Sequence, residues 1–140
     1  MNLLSLFGRL IGIAALGAGA LVVSGAAVAG SARYDFLSET QFREQIVGNY
    51  VEGGYRARHY RFWIGENGVI RGQLGLTGSD DGVWRMKDDL FCYEWAHYFQ
   101  GVERCYYWYR SGDRVVLRNA DNFKILDVHG RLLRGKPDGY

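Results

Sequence analysis

Residues 82–110, GVWRMKDDLFCYEWAHYFQGVERCYYWYR, carry three of the four tryptophans and both cysteines of a 140-residue chain. Pairing Cys92 with Cys105 folds residues 90–97 back on residues 103–110 through a loop near Phe99 to Val102. Two cysteines in an exported chain join by default. Closing so short a loop contributes about 3 kcal/mol, a large share of a small domain's stability. A metal or redox role for the pair requires further ligands or a Cys-x-x-Cys spacing, and neither is present.

Alternation along paired strands sorts the rings of this hairpin. Leu90, Cys92, Glu94, Cys105, Tyr107 and Tyr109 share one face; Phe91, Tyr93, Trp95, Tyr106 and Trp108 share the other. Both faces are aromatic, unlike a sheet that is apolar inside and wet outside. Either one face has a further partner (a helix, a ligand or another protein), or tyrosine rings lie over the outside with their hydroxyls in water.

The compartment follows from the start of the chain. Residues 1–29 hold a single charge, Arg9, then an apolar run, then the small residues Ala27-Val28-Ala29 before polar sequence resumes at Ser31, Arg33 and Asp35. That layout is a secretory signal cut after Ala29, with Ala32 as a second site. The competing reading is an inner-membrane anchor over residues 10–29, since about 20 apolar residues span a bilayer. Gly12, Gly17, Gly19 and Gly25 weaken such a helix. Both readings deliver the remainder to the periplasm or outside the cell, where thiols oxidise.

After a flexible stretch over residues 30–36, Ser38 and Gln41 form a capping box, with Leu37 and Phe42 placed as a hydrophobic staple. Gly48 ends a helix of about ten residues. From Asn49 onward, turn formers recur at Gly53-Gly54, Glu66-Asn67-Gly68, Ser79-Asp80-Asp81-Gly82, Asp88-Asp89, Gln100-Gly101, Ser111-Gly112-Asp113, Asp121-Asn122 and His129-Gly130. Between them lie short runs rich in Tyr, Trp, Phe, Val and Ile. The expectation is an all-β domain over residues 37–136 with a tail at 137–140. About eight short antiparallel strands in up-and-down order form a small barrel or a strongly curved sheet, lipocalin-like or calycin-like, with one short N-terminal helix.

The series HYRFWIGENGVIRGQ (59–73), GVWRMKDDLFCYEW (82–95), Cys105, SGDRVVL (111–117) and a final strand ending at Gly135 resembles a family of small exported proteobacterial proteins of unknown function. Its pattern is a helix, a glycine-led strand, a glycine hairpin, G-x-W, an acidic turn, L-C-x-x-W, a second Cys and a closing strand. The likeness spans residues 37–136, and its most specific piece is Gly82-x-Trp84 with Leu90 to Trp95, where Phe91 is inserted into the tighter L-C-x-x-W. The resemblance implies a small periplasmic β domain and no particular activity. A looser likeness, of architecture alone, links the chain to barrel-shaped bacterial inhibitors of secreted proteases or lysozymes.

Composition nominates no nucleic acid, because 17 basic and 15 acidic residues are interspersed to a net charge of +2. A membrane enters only through an uncleaved N-terminal segment. His59, His97 and His129 fall in separate segments without metal-ligand spacing, so neither a metal nor a cofactor is expected. Asp80-Asp81 and Asp88-Asp89 sit in expected turns, where solvent keeps them ionised, and no catalytic residue is nominated. The cluster of interest is Arg56, Arg58 and Arg61 beside His59, Tyr60 and Trp63: an arginine pointing inward would call for an anion, and arginines pointing outward form a solvated rim. The expectation is a non-enzymatic domain binding an envelope component or small ligand on Trp84, Tyr93, Trp95 and Trp108, with Arg58 or Arg61 supplying charge. The alternative is an inhibitor or protein-interaction module acting on a secreted or periplasmic hydrolase.

Overall fold

The computed structural model describes residues 32–55, 57–122 and 126–140. The signal and anchor readings, and Arg56, lie outside the described residues. The elements are β1 (Asp35–Phe36), α1 (Glu39–Gln45), β2 (Tyr50–Tyr55), β3 (Arg58–Ile64), β4 (Val69–Leu74), β5 (Ser79–Lys87), β6 (Leu90–Trp95), a single 3-10 turn (Tyr98–Gly101), β7 (Arg104–Ser111), β8 (Arg114–Asn119) and β9 (Leu126–Leu133). Strands β2 to β9 pair antiparallel in sequence order, and β9 returns to pair with β2, so eight strands close into an up-and-down barrel. Strand β1 is an addition to it. Phe36 pairs with Tyr109 and Asp35 with Arg110, on the stretch of β7 beyond its pairing with β6. Two residues of the stretch expected to be flexible are therefore in the sheet.

Closure happens where Gly53 of β2 faces Gly130 of β9. A Cβ on Gly53 would lie 2.2 Å from the His129 carbonyl oxygen, and one on Gly130 would lie 2.6 Å from that of Glu52. Neither glycine is in a turn, contrary to the expectation for Gly53-Gly54 and His129-Gly130; the two backbones approach so closely that a side chain on either would overlap the other strand. Ser79 to Gly82 likewise belong to β5, with Gly82 pressed against the Glu94 carbonyl, and the β4–β5 turn lies earlier, near Gly75.

Cys92 and Cys105 are direct cross-strand neighbours joined by a disulfide, with Cα atoms 4.0 Å apart. Outside it, Glu103 pairs with both Arg85 and Lys87. Phe91, Tyr93, Trp95, Tyr106 and Trp108 all point into the barrel and are buried, whereas Tyr107 and Tyr109 are half-exposed outside with Phe36 packed against both. The aromatic outer face thus has a partner in the chain's own first strand.

Helix α1 fills one end of the barrel. Its capping box forms as expected from Ser38 and Gln41, although the helix runs seven residues, and the Glu39 amide donates to the Asp89 carboxylate at the β5–β6 turn. The staple residues Leu37 and Phe42 are both buried, and the Phe42 ring meets Trp84, Phe91 and Trp108 at centroid distances of 5.7, 5.0 and 5.2 Å. Gly48 has the left-handed backbone, φ +84°, that lets the chain leave the helix.

Gly53→Ala should lower stability by about 1–3 kcal/mol, the usual cost of overpacking, while Gly78→Ala, which meets nothing within 4 Å, should stay within about 0.5 kcal/mol of wild type in urea unfolding. Equal effects of the two changes would contradict closure through this glycine pair.

Candidate functional site

At the end opposite α1, the inward residues leave an apolar cavity of about 40 Å3. Tyr55, Phe62, Ile70, Tyr93, Trp95 and Phe99 are among its walls. The rings interlock: Tyr93 stacks on Tyr106 at 5.6 Å, Trp95 meets Tyr98 edge-on at 5.6 Å, and Tyr60 stacks on Phe62 at 5.3 Å. Room for Trp95 comes from Gly72, where a Cβ would lie 2.6 Å from the indole. Burial raises the pKa of the Tyr60 and Tyr93 phenols, the Tyr106 phenol adding to the effect on Tyr93, so both stay neutral. Tyr60 uses its proton to donate to the His129 carbonyl at 3.3 Å.

The β6–β7 connection crosses this end as a strap. Phe99 (φ 54°) and Gln100 (φ 62°) both have left-handed backbone ahead of Gly101 (φ 65°), a conformation that costs a non-glycine residue about 1–3 kcal/mol. Asp80 holds the strap in that course. Its buried carboxylate accepts from the amides of His97 (2.9 Å) and Tyr98 (2.7 Å) and lies 2.9 Å from His97 Nδ1. Burial pushes the Asp80 pKa up, but the Tyr98 amide, the His97 ring and the His97 amide together outweigh it, and the net shift is downward. Asp80 is thus not the solvated turn acid expected from its neighbours. The Tyr98 hydroxyl adds an anchor, donating to the Gly78 carbonyl and lying 3.1 Å from the Thr77 hydroxyl.

Arg104, at the start of β7, brings an inward charge to this end. It shares the inward register of Tyr106 and Trp108, Nη1 lies 3.4 Å from the Tyr55 hydroxyl, and the guanidinium sits 4.1 Å from the centre of the Phe99 ring. Burial works against its charge, yet hydrogen bonds to the Tyr106 and Tyr55 phenols outweigh that and raise its pKa. Among the described residues, no carboxylate pairs with it. Of the arginines singled out from sequence, Arg61 borders the cavity, although its guanidinium turns away from it to an acid, and Arg58 lies elsewhere. Arg61 points outward to Glu52, 3.1 Å away, and Arg58 is exposed in a groove between the β2–β3 and β4–β5 turns.

Of the candidate ring residues, Tyr93 and Trp95 line the cavity, whereas Trp84 and Trp108 pack against α1 at the closed end. Trp84 donates its indole N–H to the Gly65 carbonyl at 2.9 Å. Residues that sequence reasoning missed are Phe99, Tyr98, Tyr55 and Arg104. His59 and His129 flank Gly54 on the outside, and His97 is on the strap. Among the described residues the one cluster of metal-type ligands is Cys92, Glu103 and Cys105, and bonding between its two sulfurs leaves a single carboxylate. No helix among the described residues is long and apolar enough to cross a membrane. No protein family, curated protein or solved structure matches this chain.

Because the Asp80 carboxyl titrates lower when folded than when unfolded, its contribution is full above the ordinary carboxylate range and is lost as pH falls through the folded value. Asp80→Ala, which strips the amides of Asp81, His97 and Tyr98 of their acceptor, should cost about 1.5–3 kcal/mol at pH 7 in urea unfolding, and the gap to wild type should close on acidification toward pH 2. A gap unchanged with pH would show that the ionised carboxylate is not what holds the strap.

Proposed function

We propose that this is an exported, non-enzymatic binding module that takes a small, mostly apolar group into the aromatic mouth of the barrel beneath the strap. The single observation that carries the reading is the cavity at the end opposite α1, walled by Tyr55, Phe62, Ile70, Tyr93, Trp95 and Phe99. Small-molecule sites are concave and mainly apolar, with a few polar groups to orient the guest, and barrel mouths are among their usual places. The polar groups here are phenols and a guanidinium, which hold and orient a guest. Export into the periplasm or beyond is supported by the Cys92–Cys105 disulfide, a bond favoured in oxidising compartments. An envelope component with a small apolar end fits the same reading.

A second reading, a module that binds a secreted or periplasmic hydrolase, is favoured by Leu76, wholly exposed at the tip of the β4–β5 turn on the same end. The two readings part on one change: Leu76→Glu would abolish inhibition of a lysozyme or secreted protease and leave binding in the cavity intact.

The test is a titration of the mature protein with toluene, indole, short lipids and peptidoglycan fragments, followed by tryptophan fluorescence and melting temperature. At least one apolar compound should quench the emission and raise Tm by about 5 °C or more near saturation, and Leu74→Trp, which fills the cavity wall, should remove both responses. A flat response across the panel, or one that survives Leu74→Trp, would overturn the reading.

A further inference from the structure

We propose that the Phe99 ring is a place-holder for a small monocarboxylic acid, whose apolar part takes the ring's position and whose carboxylate pairs with Arg104. The inference rests on the binding reading above and names its ligand class. Its first ground is size. A cavity of about 40 Å3 falls well short of the ~150 Å3 of an apolar cavity that admits benzene, so a guest of ring size requires one wall to leave.

Phe99 is the wall able to do so. Its half-buried ring meets Tyr55 and Tyr98 at 5.7 and 6.5 Å and covers Arg104, and it is held there by a left-handed backbone that a phenylalanine does not adopt by preference. Most other walls are strand residues fixed by cross-strand pairing on both sides. When the ring swings outward, the strap can keep its anchors on Asp80, because these act through His97 and Tyr98 and not through Phe99.

Charge is the second ground. An arginine turned into a barrel normally has an acid to meet, yet among the described residues Arg104 meets the Tyr55 hydroxyl and the Phe99 ring face. A phenol oxygen accepts from such a donor without neutralising the cation. A carboxylate arriving where the Phe99 ring now lies would meet the planar fork of the guanidinium, and the phenol hydroxyls of Tyr55 and Tyr106 would be at hand to donate to it. An alcohol of the same shape would gain the apolar contact and lose the charged one, which at a partly buried site separates the two by about tenfold or more.

The experiment titrates the mature protein, Phe99→Gly, and Phe99→Gly combined with Arg104→Met or with Arg104→Lys, by calorimetry with phenylacetate and with 2-phenylethanol. Glycine accepts a φ of 54° without strain, so the variant removes the ring and keeps the strap's path. Phe99→Gly should bind phenylacetate about tenfold more tightly than wild type does, and about tenfold more tightly than it binds 2-phenylethanol. Arg104→Met should bring acid and alcohol to equal affinity, and Arg104→Lys, which keeps the charge and guards against a misfolded Met variant, should retain part of the preference. Equal binding of acid and alcohol by Phe99→Gly would overturn the acid assignment and leave the apolar site standing. No gain over wild type for either probe would overturn the place-holder role, and the fate of the broader binding reading would then rest on the toluene and indole titrations.

Discussion

The contact on which the rest depends is the face-to-face approach of Gly53 and Gly130, where the first and last strands of the barrel meet. Bringing the two ends of an eight-strand series together costs chain entropy that short hairpins do not, and it is recovered only if both backbones can come close enough to complete the ladder. Any side chain at either position would push them apart. Once they meet, the sheet has no open edge in its barrel strands, and one set of side chains along every strand becomes interior. The disulfide between Cys92 and Cys105 lies on the other side of the strand order, so hairpin and seam restrain the barrel independently.

The two ends of the barrel have different physics. At one, α1 sets Phe42 and Ile46 in the interior, with the Phe42 ring against Trp84, Phe91 and Trp108. At the other, closure depends on one short strap carrying two unfavourable backbone conformations, tied down by a buried carboxylate and a tyrosine hydroxyl. Backbone strain and the cavity are both at the strap end, where the proposed guest would enter without unfolding the rest. A cavity, an inward arginine and a movable ring coincide at that end.

Much of this was legible in the sequence where the signal is local. Ser38 with Gln41 announces a helix start because the capping box closes within one turn, and the period-two pattern around Cys92 and Cys105 predicts which rings turn inward because the hairpin fixes its own register. Glycines misled. Gly53, Gly82 and Gly130 read as turns because a glycine needed for close approach and one needed for a left-handed turn look alike until the opposing strand is known. For the same reason Arg61 drew attention that its cross-strand partner Glu52 removes. Arg104 was within reach: the alternation that sends Tyr106 and Trp108 inward sends residue 104 with them, but a residue between Glu103 and Cys105 does not advertise itself as interior. The course of the strap had no sequence signal, since nothing local makes Phe99 and Gln100 left-handed; Asp80, from a strand read as a turn, does so from a distance.

The most direct measurement of the account is the nuclear Overhauser contact between the α-protons of Gly53 and Gly130 in the isotopically labelled protein. The barrel described here places the point where a Gly53 Cβ would sit 2.6 Å from the Gly130 Cα, so a strong cross-peak is predicted. If it is missing while the α-proton contacts within the hairpin of Cys92 and Cys105 are present, the sheet does not close, and both the interior and its mouth are lost with it.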